Sequence, residues 1–413
     1  MENIENFAPL EKVYIIQPVL DASYKDLQSE AVSLIESAGA LYAGTIYPQV
    51  REINPATYIG AGKLAELKER LDGLDVTVLF NGELTPSQTL NISSALDGKK
   101  VIDRTTLILA IFAKNAKTSE GKLQVELAQL KYIYPRLKGK GEALSRLGGG
   151  IGTRGPGETK LETDRRRIRM RISYLEEKLR SLENRRNLLR TRRKKTAAFI
   201  ISLVGYTNTG KSTLLNLLTD AGVYAEDRLF ATLDPTSRRF VIDGSDFILT
   251  DTVGFLRQLP HNLISAFRST LESALDCDLA LIVCDATADY EMQLETTLHT
   301  LREMQFNAPY LVVMNKSEGL STRLGYPAGS IFISAKLGLG IDALKEEILS
   351  KFREKFTDAQ MTVPYAEMGN YNKLRKYLVE KEVKYDEAGA HVCARIPNIH
   401  LKKFSPFDPH ISI

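Results

Sequence analysis

The segment "GYTNTGKS" at residues 205–212 has the spacing G-x-x-x-x-G-K-[ST], which is typical of a loop that binds nucleotide phosphates. The apolar run "FIISLV" precedes it and "STLLNLLTD" follows it, which predicts a loop between a strand and a helix. Backbone N–H groups of such a loop surround the phosphates, Lys211 contacts the β- and γ-phosphates, and the Ser212 hydroxyl binds Mg²⁺. We therefore predict a nucleotide site that includes Gly205, Tyr206, Thr207, Asn208, Thr209, Gly210, Lys211, Ser212 and Thr213.

Two later segments could complete the phosphate end of this site. "DTVGF" at residues 251–255 follows an apolar run, so the Asp251 carboxylate could hold Mg²⁺ through water and the Gly254 N–H could meet the γ-phosphate. "LFATLDPT" lies between the two motifs, where a switch loop needs a threonine that reaches Mg²⁺. We favour Thr232, with Thr236 as second choice, and a plain turn is the alternative. The predicted contacts are Phe230, Ala231, Thr232, Leu233, Asp234, Asp251, Thr252, Val253 and Gly254.

A base-reading end is predicted from "NKSE" at residues 315–318 and "SAK" at residues 334–336. Asn315, Lys316 and Glu318 would contact guanine, and the backbone N–H of Ala335, between Ser334 and Lys336, would meet its O6. Many guanine sites carry Asp where this chain has Glu. Either carboxylate accepts from the N1–H and N2–H₂ groups of guanine and repels the N1 of adenine, so we expect guanine to be preferred, with weakened affinity.

Catalysis would rest on Lys211, Thr232 and Gly254, which face the transferred phosphate in the predicted arrangement. Phe255 stands where many GTP-hydrolysing proteins have the glutamine that orients the attacking water. A phenyl ring cannot do this. The sequence therefore predicts slow intrinsic hydrolysis that a partner stimulates.

Four regions are expected to position these residues. Strand and helix patterns alternate in residues 1–115, which predicts an α/β domain. Residues 116–195 predict a long helical hairpin with a glycine-rich connection at 148–157. Residues 196–356 predict a P-loop domain with a mostly parallel sheet and helices on both faces, and residues 357–413 a small α+β domain with a helix "NYNKLRKYLVEK" and a strand "AHVCARIP". The fold class is thus multidomain α/β.

The second helix of the hairpin is strongly basic. Residues 160–195 contain 15 Lys and Arg against 5 Asp and Glu, although the whole chain has a formal net charge of only +4. A solvated polar face is one interpretation, and binding to a phosphate backbone is the other. We favour RNA binding, through Arg146, Arg154, Lys160, Arg165, Arg166, Arg167 and Arg169.

Composition excludes several classes of protein. The chain of 413 residues is 43% hydrophobic and 26% charged, as in ordinary globular proteins. No apolar run reaches the roughly 18 residues of a membrane helix, and the acidic N-terminus lacks an apolar signal core. The three cysteines show no metal-binding spacing. We expect a cytoplasmic monomer.

Two glycine patterns are not interpreted as further nucleotide sites. Gly150, Gly152 and Gly155 have the spacing of a dinucleotide fingerprint, but no strand precedes them. "GAGK" at residues 60–63 is too short for a second phosphate loop and is better explained as the start of a helix.

The order of these motifs resembles the HflX family of translational GTPases, within the Obg–HflX group. "YIGAGKLAEL", "GKLQVELAQLKY", "GGGIGTRGPGETKLE", "LFATLDPT" and "DTVGF" all resemble motifs of that family, and the glycine-rich block is the most specific. The resemblance implies an N-terminal α/β domain with a helical hairpin, a Ras-like GTPase domain, Mg²⁺ and GTP as ligands, and binding to the large ribosomal subunit. It also implies that the protein splits stalled or idle ribosomes. ATP binding by the N-terminal domain is a further property that the resemblance implies. Glu318 and Ala110 depart from the family pattern, and nothing physical explains Ala110.

Three functional hypotheses remain from the sequence. The favoured one is a ribosome-associated GTPase switch. The second is a passive RNA-binding, anti-association or assembly factor with little GTP turnover, which Phe255 keeps open. The third is a protein that also hydrolyses ATP, a hypothesis suggested by Glu318 in place of the usual Asp.

Overall fold

The N-terminal sheet is built from short apolar strands that alternate with helices. The computed structural model describes residues 11–20, 24–145, 156–193, 199–219, 229–230, 235–257, 275–320, 322, 324–408 and 410–412. The strands are Lys12–Ile16 (β1), Leu41–Ile46 (β2), Thr77–Phe80 (β3) and Val101–Asp103 (β4), and the helices are Tyr24–Ala38 (α1), Ala61–Arg70 (α2), Pro86–Ala95 (α3) and Arg104–Asn115 (α4). The sheet order is β2-β1-β3-β4, and all pairs are parallel.

Local signals explain where these helices begin. The Thr85 hydroxyl and the Gln88 side chain form a capping box at the start of α3, and the Asp103 carboxylate accepts from the Thr106 N–H at the start of α4. Gly60 is the N-cap of α2, so the prediction that "GAGK" begins a helix is confirmed. Phe80 lies in the core beneath these helices and is fully buried.

The predicted helical hairpin consists of Ser119–Ser145 (α5) and Pro156–Arg193 (α6). Leu175, which lies on a heptad row of apolar residues in α6, is fully buried. Lys131 pairs with Glu176 at 2.7 Å and Arg171 with Glu126 at 2.7 Å, so ion pairs join the two helices. Residues 148–155 of the predicted glycine-rich connection, 148–157, lie outside the described residues.

A second sheet follows the hairpin. Its strands are Phe199–Val204 (β5), Thr236–Ile242 (β6), Ser245–Asp251 (β7), Leu279–Asp285 (β8), Tyr310–Asn315 (β9) and Ile331–Phe332 (β10), and its helices are Lys211–Thr219 (α7), Tyr290–Glu303 (α8) and Ile341–Lys355 (α9). The order is β10-β9-β8-β5-β7-β6, parallel except that β6 runs antiparallel to β7. Every residue of β8 is buried, as expected for a central parallel strand.

The last region is a small antiparallel sheet. Its elements are Phe356–Val363 (β11), Met368–Leu374 (α10), Val379–Asp386 (β12), Gly389–Pro397 (β13) and His410–Ser412 (β14), in the sheet order β12-β13-β11-β14. The sequence prediction of a helix over "NYNKLRKYLVEK" was wrong in its last part. Val379 begins β12, because Val383 pairs with Val392 of β13 and the alternation of apolar residues there has the period of a strand.

Contacts between Cα atoms divide the chain into two compact units. The first unit comprises Met1–Arg180, Glu226–Asp234 and Val253–Ser269, and the second comprises Ser181–Ala225, Pro235–Thr252 and Thr270–Ile413. Residues 229–234 of the predicted switch loop and residues 253–255 of "DTVGF" belong to the first unit, together with the N-terminal sheet, whereas residues 235–236 and 251–252 belong to the second. Within the described residues, the helices include none with the length and apolar character that a membrane span requires.

Candidate nucleotide site

The loop at residues 205–212 joins β5 to α7, which is the placement that the motif predicts. Two of its glycines have no room for a side chain. A Cβ on Gly205 would lie 2.2 Å from the Val283 carbonyl oxygen, and a Cβ on Gly210 would lie 2.2 Å from the Asn315 side-chain nitrogen. Both residues also have positive φ, at 147° and 88°. The loop conformation therefore requires glycine at both positions.

Lys211 lies inside this loop rather than in solvent. Its ammonium donates to the carbonyl oxygens of Gly205 at 3.2 Å and Tyr206 at 2.5 Å. Burial lowers the pKa of Lys211 to about 8, and the nearby Asp251 carboxylate opposes this shift. A phosphate group would stabilise the charged form, so this lysine suits an anionic ligand.

Ser212 and Asp251 meet at the start of α7. The Ser212 hydroxyl lies 2.7 Å from the Asp251 carboxylate, which is 1% exposed at the end of β7. Asp251 pairs with Leu203 in the neighbouring strand, and the Thr252 hydroxyl donates to the Leu203 carbonyl at 2.7 Å. A hydroxyl and a carboxylate oxygen are hard ligands of the kind that Mg²⁺ prefers, so the pair fits the predicted metal site.

The predicted base readers lie at the carboxyl end of β9. The Asn315 side chain donates to the Thr209 carbonyl at 2.8 Å and accepts from the Ala335 N–H at 2.9 Å. Asn315 thus joins the phosphate loop to the segment that contains Ser334, Ala335 and Lys336. Ser334 is buried and its hydroxyl accepts from the Leu337 N–H, whereas Lys336 is exposed.

Lys316 has a partner that the sequence analysis missed. Its ammonium lies 2.6 Å from the Asp285 carboxylate and 3.1 Å from the Asn208 carbonyl oxygen. Asp285 ends β8 directly beside Asn315 of β9, and its other oxygen accepts from the Thr287 N–H and hydroxyl. The position of Asp285 at the end of a buried parallel strand was the available signal, because such ends share one edge of the sheet.

Glu318 lies in the short 3₁₀ helix Ser317–Gly319 and is exposed. Lys316 precedes this turn with a φ of 61°, in the left-handed region. Glu318 is thus close in sequence to the other predicted base readers, but it lies on a solvent-facing turn.

The predicted switch loop, residues 229–236, is described at Leu229, Phe230, Pro235 and Thr236, and Thr236 begins β6 opposite Asp251 of β7. The Phe230 ring packs edge-on against Phe112 with ring centroids 4.7 Å apart, and its carbonyl oxygen accepts from the Asn115 side chain at 2.8 Å. The Leu229 N–H donates to the Ser37 hydroxyl at 3.0 Å. These contacts place Phe230 against helices of the N-terminal sheet. Ala231, Thr232, Leu233 and Asp234 lie outside the described residues.

The segment that follows "DTVG" makes similar contacts in the first unit. Arg257 lies 3.5 Å from the Asp26 carboxylate, and its carbonyl oxygen accepts from Arg104 at 3.3 Å. Arg104 is itself buried and bonded to Glu30 and Asn81. Val253 and Phe255 are buried, and Phe255 is 1% exposed. Helices α1 and α4 therefore contact the chain just before Thr232 and just after Gly254, the two residues predicted to meet Mg²⁺ and the γ-phosphate.

The basic helix presents part of its predicted RNA-binding set to solvent. Arg166, Arg167 and Arg169 are exposed, and Arg165 is partly buried. Arg169 donates to the Tyr134 hydroxyl at 2.6 Å, and the guanidinium of Arg165 lies 5.4 Å from the centre of the same ring. Arg146 and Arg154 lie outside the described residues, as does the side chain of Lys160.

Comparison with family models gives three matches along the chain. Residues 25–113 match "GTP-binding GTPase N-terminal", residues 115–193 match "GTP-binding GTPase Middle Region", and residues 200–316 match "50S ribosome-binding GTPase". The third match contains the phosphate loop, Asp251 and Asn315.

Curated relatives match over most of the chain. GTPase HflX of Caldanaerobacter subterraneus subsp. tengcongensis is 46% identical over 393 residues, which cover 94% of this chain and 91% of that protein. GTPase HflX of Escherichia coli is 39% identical over 417 residues, which cover 97% of this chain and 96% of that protein. Among solved structures, a GTP-binding protein from Sulfolobus solfataricus in complex with GDP is 25% identical, with 84% of this chain and 99% of that chain covered and a TM-score of 0.46.

Proposed function

Because this chain belongs to the HflX family of GTPases, we propose that it is a GTP-controlled factor that binds the large ribosomal subunit and separates stalled or idle ribosomes under stress. The chain binds guanine nucleotide and hydrolyses GTP to GDP and phosphate, as its family does. The description of the matching GTPase model as 50S ribosome-binding supports the large subunit as partner. Action on ribosomes would take place in the cytoplasm.

The phosphate end supplies the chemistry of the cycle. Lys211 would exchange its two carbonyl partners for phosphate oxygens, and the Gly254 N–H would contact the γ-phosphate. Ser212, Thr232 and Asp251 would hold Mg²⁺, which would neutralise charge on the β- and γ-phosphates. Asn315, Lys316, Glu318 and Ala335 would recognise guanine.

The observation that carries the proposal is the packing of two residues with the N-terminal helices, Phe230 in the predicted switch loop and Arg257 just after "DTVGF". Phe230 contacts Phe112 and Asn115, and Arg257 contacts Asp26 and Arg104. A γ-phosphate that draws Thr232 toward Mg²⁺ would change the position of Phe230, two residues earlier. The same compact unit contains the basic helix as far as Arg180, including Arg165, Arg166, Arg167 and Arg169, so nucleotide state and RNA binding would be coupled.

Phe255 supports a second candidate, the passive factor with little turnover. It is apolar and almost completely buried, so it cannot orient a water molecule. Single-turnover hydrolysis with and without purified large subunits separates the two functions. We expect the subunit to accelerate hydrolysis, and an unchanged rate would favour the passive factor.

Binding to RNA is tested by a salt titration. Arg166→Gln combined with Arg167→Gln should lower the slope of log affinity against log salt by about 2, because each phosphate contact contributes about one unit. Arg238→Gln combined with Arg302→Gln, at exposed positions of the second unit, provides a control with the same change in charge. Equal slopes for both double variants would contradict docking through the basic helix.

A further inference from the structure

A buried arginine connects the C-terminal sheet to a strand of the nucleotide domain. Arg395 in β13 is 6% exposed. Its Nε donates to one oxygen of Asp358 at 3.1 Å, and its Nη2 lies 3.4 Å from the other oxygen. Lys381 also pairs with Asp358 at 2.8 Å. Burial is the largest single influence on the pKa of that carboxyl and raises it, but the two cations together outweigh burial and lower the pKa below its usual value. Burying the charged guanidinium of Arg395 away from water costs free energy, so each of its hydrogen bonds contributes to offsetting that cost.

The same guanidinium reaches a residue outside its own sheet. Its Nη2 donates to the Ser245 hydroxyl at 2.8 Å, and its carbon lies 4.6 Å from the centre of the Phe352 ring. Ser245 is buried and is the first residue of β7. It follows the two-residue turn of Asp243 and Gly244, which have φ values of 48° and 68°. Arg395 is therefore bonded to the turn end of the β6–β7 hairpin.

The opposite end of β7 carries the predicted metal ligand. Asp251 is the last residue of the strand, and its carboxylate lies 2.7 Å from the Ser212 hydroxyl. The strand spans roughly 20 Å at about 3.3 Å per residue. A strand keeps its register as a unit, because a slip of one residue moves every side chain to the other face. A constraint at Ser245 therefore limits how Asp251 can shift along the strand axis.

We propose that Arg395 is a positioning residue for the Mg²⁺ end of the nucleotide site and acts through the β6–β7 hairpin. The C-terminal sheet would thus stabilise the register of β7 that brings Asp251 to Ser212. The Asp358 pair joins β13 to β11 inside the C-terminal sheet, whereas the bond to Ser245 reaches the hairpin. This inference rests on the proposed Mg²⁺ ligands but not on ribosome binding.

The test uses Ser245→Ala in the full chain, which removes the hairpin bond and leaves the Asp358 pair. Release of a fluorescent GDP analogue is measured against Mg²⁺ concentration, and the Mg²⁺ midpoint for slow release is recorded. We expect the midpoint to rise about two- to tenfold, the range that one net hydrogen bond corresponds to. Ser245→Thr keeps a hydroxyl and should restore the midpoint.

Two controls separate positioning from simple attachment of the C-terminal sheet. Lys381→Ala removes a partner of Asp358 that does not contact the hairpin, so it should leave the Mg²⁺ midpoint unchanged. In an Arg395→Met background, Ser245→Ala should have no further effect on the midpoint. A lower melting temperature of Ser245→Ala with an unchanged Mg²⁺ midpoint would overturn the proposal. If the rate of GDP release from the wild-type protein did not depend on Mg²⁺ concentration, the proposed metal site itself would be refuted.

Discussion

The phosphate end and the base end of the nucleotide site are built differently. At the phosphate end, Lys211 and Asp251 are buried and bonded to groups of neighbouring strands and loops. At the base end, Asn315 is buried, but the Lys316 side chain is 36% exposed and Glu318 faces solvent. Interactions between buried groups are stronger and less screened than those at the surface. We therefore expect substitutions at the phosphate end to have larger effects than substitutions at the base end.

The largest effect should come from Lys211→Ala. This change removes the buried ammonium that would contact the β- and γ-phosphates, and losing one preorganised donor costs about 10²–10³-fold in rate. Single-turnover hydrolysis of GTP measures the effect. Lys345→Ala, on helix α9, is the control and should keep the wild-type rate. A loss below about tenfold would show that Lys211 is not central.

Nucleotide affinity should depend on pH through the same lysine. The pKa of Lys211 is lowered to about 8, and bound phosphate would raise it. Below pH 8 the free protein already carries the charged lysine, so nucleotide affinity is at its maximum. Above pH 8 the lysine must take up a proton on binding, so affinity decreases by at most about tenfold per pH unit. Titrations with a fluorescent GDP analogue from pH 7 to 9 measure this.

Guanine itself loses a proton at high pH, which also lowers nucleotide affinity. The Lys211→Ala variant, measured over the same pH range, separates this effect from that of the lysine. Any decrease common to wild type and Lys211→Ala belongs to the base. A wild-type profile parallel to that of the variant would contradict the assignment.

A smaller effect is expected from Asp285→Asn at the base end. The substitution removes the charge that orients Lys316, and partial exposure of the pair limits the loss of GTP affinity to about three- to tenfold. Equilibrium binding of GTP and GDP measures it. Glu295→Gln, an exposed change on α8, should leave affinity unaltered. An equal loss in both variants would argue against a role for Asp285.

The smallest effect should come from Glu318→Asp. The shorter side chain has one fewer rotatable bond to order, which should improve GTP affinity about twofold. Competition with ATP should show increased discrimination against adenine. Weaker GTP binding by this variant would show that the pocket has adapted to glutamate.

The two ends of the site also differ in how far the sequence predicts them. The phosphate loop follows from local spacing, because backbone N–H groups and a helix N-terminus need only a continuous segment. Asp285 was missed because its ion pair with Lys316 depends on the adjacency of β8 and β9, which no short motif encodes. Phe230 was predicted at the nucleotide, whereas the structure describes its ring against Phe112.

The C-terminal sheet shows the same limitation for the fold. The apolar spacing of "NYNKLRKYLVEK" fits a helix at its start and a strand at its end, and pairing of β12 with β13 decides where one gives way to the other. Arg395 looked like an ordinary strand residue, because its contact with Ser245 joins positions 150 residues apart in the chain.

The proposed switch is tested most directly by binding to purified large and small ribosomal subunits in the presence of a non-hydrolysable GTP analogue or GDP. Sedimentation at fixed salt gives the bound fraction for each subunit and nucleotide. We predict tighter binding to the large subunit with the GTP analogue than with GDP, and weak binding to the small subunit in both states. Equal affinity for the large subunit with either nucleotide would contradict nucleotide-controlled association.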